Sequence, residues 1–178
     1  MRTGIVRIGF VVAASAALAA GGTAALAQQA PKKGGTLIFA VNADPPNYDC
    51  AGTTTFVAMQ TLSTHYSTLL KFDPDKYPAV MGDLARSWTV SPDGLTYTFK
   101  LKAGVKFHDG SALTSEDVKA TFDRIRNPQA GTVSVRKADY ADIASIETPD
   151  PATVVFKLSS PAASMLGNMA SPWNCVLS

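Results

Sequence analysis

Residues 83–128 read DLARSWTVSPDGLTYTFKLKAGVKFHDGSALTSEDVKATFDRIRNP, and this stretch decides the fold. Trp88 and Val90 alternate with polar neighbours. Ser91-Pro92-Asp93-Gly94 follows as a turn, in which proline presets φ at the second position and glycine supplies a positive φ. Leu95, Tyr97, Phe99 and Leu101 then alternate with Thr96, Thr98, Lys100 and Lys102, the period-two pattern of a half-buried strand. Ala103-Gly104 breaks it, and Val105 and Phe107 read as a short third strand closed by Asp109-Gly110. A helix comes next. Thr114 is its N-cap, and Asp117 takes the capping-box position more often held by Glu or Gln. Leu113 and Val118 stand where a hydrophobic staple closes. Glu116 and Asp117 suit the positive end of the helix dipole. Val118, Phe122 and Ile125 form the buried face, and Pro128 ends the run.

Upstream, residues 36–41 (TLIFAV) read as a strand, apolar enough to be covered on both faces. The sequence offers few long apolar strands to serve as its neighbours. Residues 42–52 (NADPPNYDCAG) are a loop by their Pro, Asn, Asp and Gly content. Phe56, Met59, Leu62, Tyr66 and Leu69 recur at three- and four-residue spacing, which predicts one helix with a core-facing stripe, ending before Asp73-Pro74. Residues 77–82 are a connector. Downstream of the central block, 129–137 is a loop. Residues 143–148 and 154–158 are two strands joined by a turn at Thr148-Pro149-Asp150-Pro151. Residues 161–169 are a short helix, and 171–178 (SPWNCVLS) a loop that ends as if entering a strand. Strands and helices are mixed, and residues 28–178 contain no internal repeat.

The first 27 residues read as an export signal. Arg2 and Arg7 precede an apolar run over 8–20, too short to cross a bilayer stably, and Ala25-Leu26-Ala27 is a small-x-small cleavage triplet. A buried N-terminal helix is the other reading, and the order of the three features disfavours it. Cleavage would leave Gln28 as the first residue. It would also remove two of the 16 basic residues and none of the 14 acids, so the remainder is charge-balanced at 14 and 14. That balance argues against a nucleic-acid partner, which needs a basic stripe. In an exported chain the two cysteines, Cys50 and Cys175, suggest a disulfide, with two separate buried thiols as the alternative.

Chemistry-bearing motifs are scarce. His65 and His108 are far apart in sequence, and neither has a partner at zinc-ligand spacing. No G-x-S-x-G elbow is present. Gly34-Gly35 precedes a strand rather than a helix, so it is no phosphate loop. Glu116-Asp117 is explained by capping. No catalytic residue, metal ligand or cofactor is therefore assigned, and the enzyme reading is set aside. An exported metal-binding protein or enzyme using His65, His108 and Asp109 remains the alternative of another class, with a non-functional remnant as a third.

The central block resembles the extracellular solute-binding proteins of family 5, the dipeptide-, oligopeptide- and nickel-binding components of bacterial ABC importers. The matching residues are Leu84, Ala85, Ser87 and Trp88; Ser91, Asp93, Gly94, Tyr97, Phe99 and Leu101; the run GVKFHDG over 104–110; and Leu113, Thr114, Glu116, Asp117, Val118, Arg124 and Pro128. Gly34-Gly35-Thr36-Leu37, Asn47-Tyr48-Asp49 and YSTLL over 66–70 are similar to further family segments. Cys50 stands where the family commonly has Pro, Ser67-Thr68 where it has Glu-Gly, and Lys102 where it has Arg.

The resemblance implies a type II periplasmic-binding-protein fold, α/β overall and α+β within this chain, of which only the first lobe and its inserted subdomain are present. It divides the chain into a signal peptide (1–27), the first strand of lobe one with a cleft loop (28–50), an accessory subdomain (51–170) and a return into lobe one (171–178). It implies a periplasmic monomer, non-enzymatic, that captures peptides or similar small solutes and presents them to a membrane permease by hinge closure of two lobes. It places Asn42, Ala43, Asp44, Asn47 and Tyr48 on the ligand cleft, joined by Trp173 and Asn174 if Cys50 and Cys175 are bridged. Core packing is the equal alternative for Tyr48 and Trp173, and an Asx-turn the favoured one for Asp44.

Family members are roughly three times this length, the size of several domains. The expectation is a fragment or truncated gene, and the DNA beyond codon 178 tests it. The chain alone, lacking the second wall of the cleft, should show no useful peptide affinity. A micromolar constant for any di- or oligopeptide by calorimetry would overturn that.

Overall fold

The structure, a computed structural model, describes residues 33–178. The expected signal segment therefore lies outside the described residues. The chain divides into one unit ending at Phe39 and a second over Ala40–Ser178. Of the first unit, the described residues form no helix or strand. The strand expected over 36–41 is thus not formed. A strand exists through its ladder bonds, and among the described residues none pairs with this segment. Leu37 and Ile38 stand exposed.

The second unit is α+β. Helix α1 spans Phe56–Leu62, and strands β1 (Leu70–Phe72) and β2 (Val80–Gly82) form a small antiparallel pair. Strands β3 (Ala85–Val90), β4 (Thr96–Leu101), β5 (Ile143–Asp150) and β6 (Thr153–Leu158) form an antiparallel sheet in the order β3-β4-β6-β5. Helix α2 (Ser115–Arg126) packs on β5 and β6, followed by a 3₁₀ turn at Lys137–Tyr140. Helix α3 covers Met165–Met169.

The turn at 91–94 closes as expected, with Gly94 at φ 71° and its N–H donating to Ser91 O at 2.9 Å. The period-two reading of β4 holds: Tyr97, Phe99 and Leu101 are buried and Lys100 is exposed. The start of α2 is also as read. The Asp117 carboxylate accepts both the Thr114 N–H (2.7 Å) and the Thr114 hydroxyl (2.8 Å), which satisfies a backbone donor the helix itself leaves free. Val118, Phe122 and Ile125 are buried. Phe122 meets Phe156 and Tyr140 edge-on, at ring distances of 5.0 and 5.1 Å, and Phe156 meets Phe99 at 5.6 Å. This aromatic seam joins helix to sheet. Its Tyr140 hydroxyl has no hydrogen-bond partner among the described residues, and burial raises its pKa far above the ordinary phenol value.

Several expectations are corrected. The helix predicted from Phe56 to Leu69 stops at Leu62. Thr61, Ser63 and Thr64 turn their hydroxyls back onto the carbonyls of the preceding turn, which competes with helix continuation. Phe56 is exposed, and the buried face is Val57, Ala58 and Leu62. The connector at 77–82 supplies β2. The third strand at Val105 and Phe107 reduces to one bridge, Lys106 to Ala112, within a loop that folds back on itself. The turn at 148–151 moves to 151–152, because β5 runs on to Asp150 through Pro149. Proline is tolerated there because β5 is an edge strand with an irregular register. The terminal helix is shorter than 161–169, and 171–178 forms no strand.

Two substitutions separate the local from the tertiary contribution. Thr114→Ala should cost about 1 kcal/mol through the helix start. Phe122→Ala should cost about 3–5 kcal/mol through the seam. Urea melts measure both, and equal costs would contradict the assignment.

Candidate ligand-binding site

Residues 42–52 form the segment expected to face a ligand. Its far end is held in place by side chains. Asn47 Oδ1 accepts the Asp49 N–H at 3.0 Å, and Asp49 Oδ1 accepts the Ala51 N–H at 3.1 Å. These are Asx-type bonds, in which a short side chain closes its own turn. The role foreseen for Asp44 thus falls to Asn47 and Asp49. A Cβ at Gly52 would lie 2.8 Å from Asp49 Oδ2, so a larger residue there would have to displace that carboxylate.

Asp49 also meets α2. Arg124 donates from both terminal nitrogens to its two carboxylate oxygens, at 3.1 and 2.7 Å. This fork fixes direction as well as distance. It holds the Asp49 carboxyl below the usual carboxylate range, against the opposing effect of partial burial, and raises the Arg124 pKa in turn. The next residue is tied covalently: Cys50 and Cys175 form a disulfide with Cα atoms 6.0 Å apart. Both cysteines are buried with Ala58 and Leu62, and Trp173 and Leu177 pack against them.

The predicted site residues fall into two groups. Asn42, Ala43, Asp44, Asn47 and Tyr48 are exposed, Tyr48 by 64%. Core packing is therefore not the role of Tyr48. The bridge brings Trp173 and Asn174 beside the end of this loop. Trp173 is half-buried, carries the Arg136 guanidinium 4.9 Å from its ring centre, and lines a 270 Å³ recess with Cys50, Arg124 and Thr121. Asn174 is buried, and its Nδ2 donates to Asn168 O at 2.6 Å, so it braces α3. Its Oδ1 is buried without a hydrogen-bond partner among the described residues.

His65 and His108, remote in sequence, line one recess of 600 Å³ with Tyr66 and Asp109. His108 stands edge-on to Tyr66 at 5.7 Å, and His65 Nδ1 lies 2.9 Å from Thr61 O. Among the described residues, no three His, Cys, Asp or Glu side chains cluster as a metal site. The Asp49–Arg124 fork was not foreseen, since a pair 75 residues apart leaves no mark in sequence spacing.

A family model described as bacterial extracellular solute-binding proteins, family 5 Middle, matches residues 79–177. The chain belongs to this family. A Brucella ovis protein named for peptide binding in an ABC transporter is 52% identical over 108 residues, which cover 61% of this chain and 20% of that protein. The glutathione-binding protein GsiB of Salmonella typhi is 41% identical over 107 residues, 60% of this chain and 20% of that one. Among solved structures, the periplasmic binding protein AgaA of A. tumefaciens R10, in complex with agropinic acid, matches with a TM-score of 0.70 and 31% identity. The match covers 75% of this chain and 26% of that one. DppA of Helicobacter pylori, in complex with the peptide STSA, matches at 0.67 and 28% identity, over 76% and 29%. The chain thus spans about a fifth of the length of the curated relatives it matches. Its fold is that of part of a periplasmic binding protein.

The lowered pKa of Asp49 carries a pH dependence. A carboxyl depressed in the folded state stabilises it above the unfolded value, near 4, and that stability is lost as pH falls through the folded value. Both partners are about one-third exposed, so screening limits the pair to about 1 kcal/mol or less. Urea melts should find Asp49→Asn less stable than the wild type at pH 7, with the gap closing below about pH 4. A gap that stays constant down to pH 3 would contradict the assignment.

Proposed function

We propose that this chain belongs to the substrate-binding component of a bacterial ABC importer, which captures peptides or similar small solutes in the periplasm for delivery to a membrane permease. The observation that carries the reading is the family match over residues 79–177, supported by a relative named for peptide binding at 52% identity. The protein acts by binding, as a monomer, and performs no reaction. Residues 1–27 direct export and are removed. The disulfide supports this, since such bonds persist in oxidising compartments. Residues 28–50 contribute the opening of lobe one and the cleft loop, 51–170 an accessory subdomain, and 171–178 the return into lobe one.

Asn42, Ala43, Asp44, Asn47 and Tyr48 contact the ligand, with Trp173 at the margin. The amides of Asn42 and Asn47 can hydrogen-bond a peptide backbone without reading its side chains. Asp44, exposed and outside every ion pair among the described residues, suits a cationic group. Tyr48 offers a broad apolar face with a polar tip. Asn174 contributes indirectly, through α3.

The test is made on protein isolated from its host. It should be recovered from the periplasm with Gln28 as its first residue, and a panel of di- to pentapeptides with glutathione should include a saturating ligand. Tyr48→Ala should weaken that ligand about tenfold, with an unchanged thermal midpoint because the ring is exposed. Cytoplasmic recovery of the uncleaved chain, or a panel with no ligand, would overturn the proposal.

A further inference from the structure

Two ties hold adjacent residues of the candidate loop, and they differ in kind. The disulfide joins Cys50 to Cys175, while the fork joins Asp49 to Arg124 on α2. A single covalent tie fixes a point and leaves a pivot. A planar, two-bond guanidinium–carboxylate pair also fixes orientation. From Asp49 the restraint passes outward, because the Asp49 N–H donates to Asn47 Oδ1. It passes inward through Ala51, whose N–H binds Asp49 Oδ1 and whose carbonyl accepts the Val135 N–H at 3.0 Å. Beyond Asn47, no backbone hydrogen bond among the described residues holds 42–46. The orientation of Asn47 and Tyr48 is therefore set where Asp49 meets Arg124.

We propose that Arg124 and Asp49 are positioning residues for ligand binding: the fork on α2 sets the direction in which the loop 42–48 leaves the disulfide, and so sets affinity from outside the ligand contact. This rests on the proposed role of the loop. It explains why an exposed loop rich in proline and asparagine carries a fork and a disulfide at the same end. The fork contributes little to global stability, being partly exposed. Its effect is local: it keeps the loop in one orientation, so that binding does not have to order it.

Hydrogen exchange on the chain, read by mass spectrometry with the disulfide intact, tests this without a ligand. Arg124→Gln and Asp49→Asn should each speed exchange of the hydrogen-bonded amides at this end of the loop, Asp49 and Ala51, by about fivefold, with α2 unchanged. The double variant should add nothing further, since the two residues act as one unit. Lys119→Gln removes the Lys119–Asp123 pair on the same helix and should leave the loop unchanged. In host-isolated protein, Arg124→Gln should weaken Ala-Ala-Ala, measured by calorimetry, by a similar factor. Unchanged loop exchange, or a rise spread evenly over α2, would overturn the proposal. Faster loop exchange with undiminished affinity would show that the loop is not part of the site, and would overturn positioning while leaving the importer reading intact. Wild-type protein that binds neither Ala-Ala-Ala nor any peptide of the panel, with faster loop exchange in the variants, would overturn the importer reading and the ligand role of the fork with it.

Discussion

The packing of Phe122 against Phe156 and Tyr140 is the constraint on which the rest of the second unit depends. Helix α2 has one wholly apolar stripe, and the edge-on aromatic contacts admit one rotation of it about its axis. With that rotation set, the flank of the helix is set too. At 100° per residue Thr121 and Arg124 lie about 60° apart on the same side of the buried stripe. Thr121 exchanges hydrogen bonds with Leu177, its hydroxyl donating at 3.3 Å and accepting at 3.0 Å. Arg124 reaches Asp49. The core of the sheet thereby decides where both ends of the second unit are held.

The candidate site is assembled by long-range ties. Cys50 and Cys175 are 125 residues apart, and closing so long a loop removes much conformational freedom from the unfolded chain. The same bond gathers Ala58, Leu62, Trp173 and Leu177 into a second small core, separate from the aromatic one. Loop 42–48 is anchored at one end by this core and by the fork. Its polar side chains face solvent because its proline-rich backbone forms neither helix nor ladder.

How much was legible in the sequence varied with the range of the interaction. The turn at 91–94, the alternation in β4 and the capped start of α2 are local, and each was read at its own residues. The spacing of Phe56, Leu62, Tyr66 and Leu69 predicts one long helix, but apolar spacing counts positions and is blind to the threonine and serine hydroxyls that unwind the turn between them. Leu69 is buried as expected, but from the segment entering β1. Among the site residues, the exposure of Asn42, Asp44 and Asn47 followed from loop composition. The burial of Asn174 did not, because its partner is the carbonyl of Asn168, a backbone group identical at every position.

The sequence alone therefore determined what depends on neighbours within a few residues: turn chemistry, strand period, helix cap, and the presence of two cysteines able to pair. The tertiary structure decided what depends on residues far apart. It showed that 36–41 forms no ladder among the described residues, that β2 completes a pair with β1, and that Arg124 turns its guanidinium onto Asp49. A ladder or an ion pair needs two segments at hydrogen-bond distance. That distance is set by the packing of a whole core, and it leaves no period in the chain.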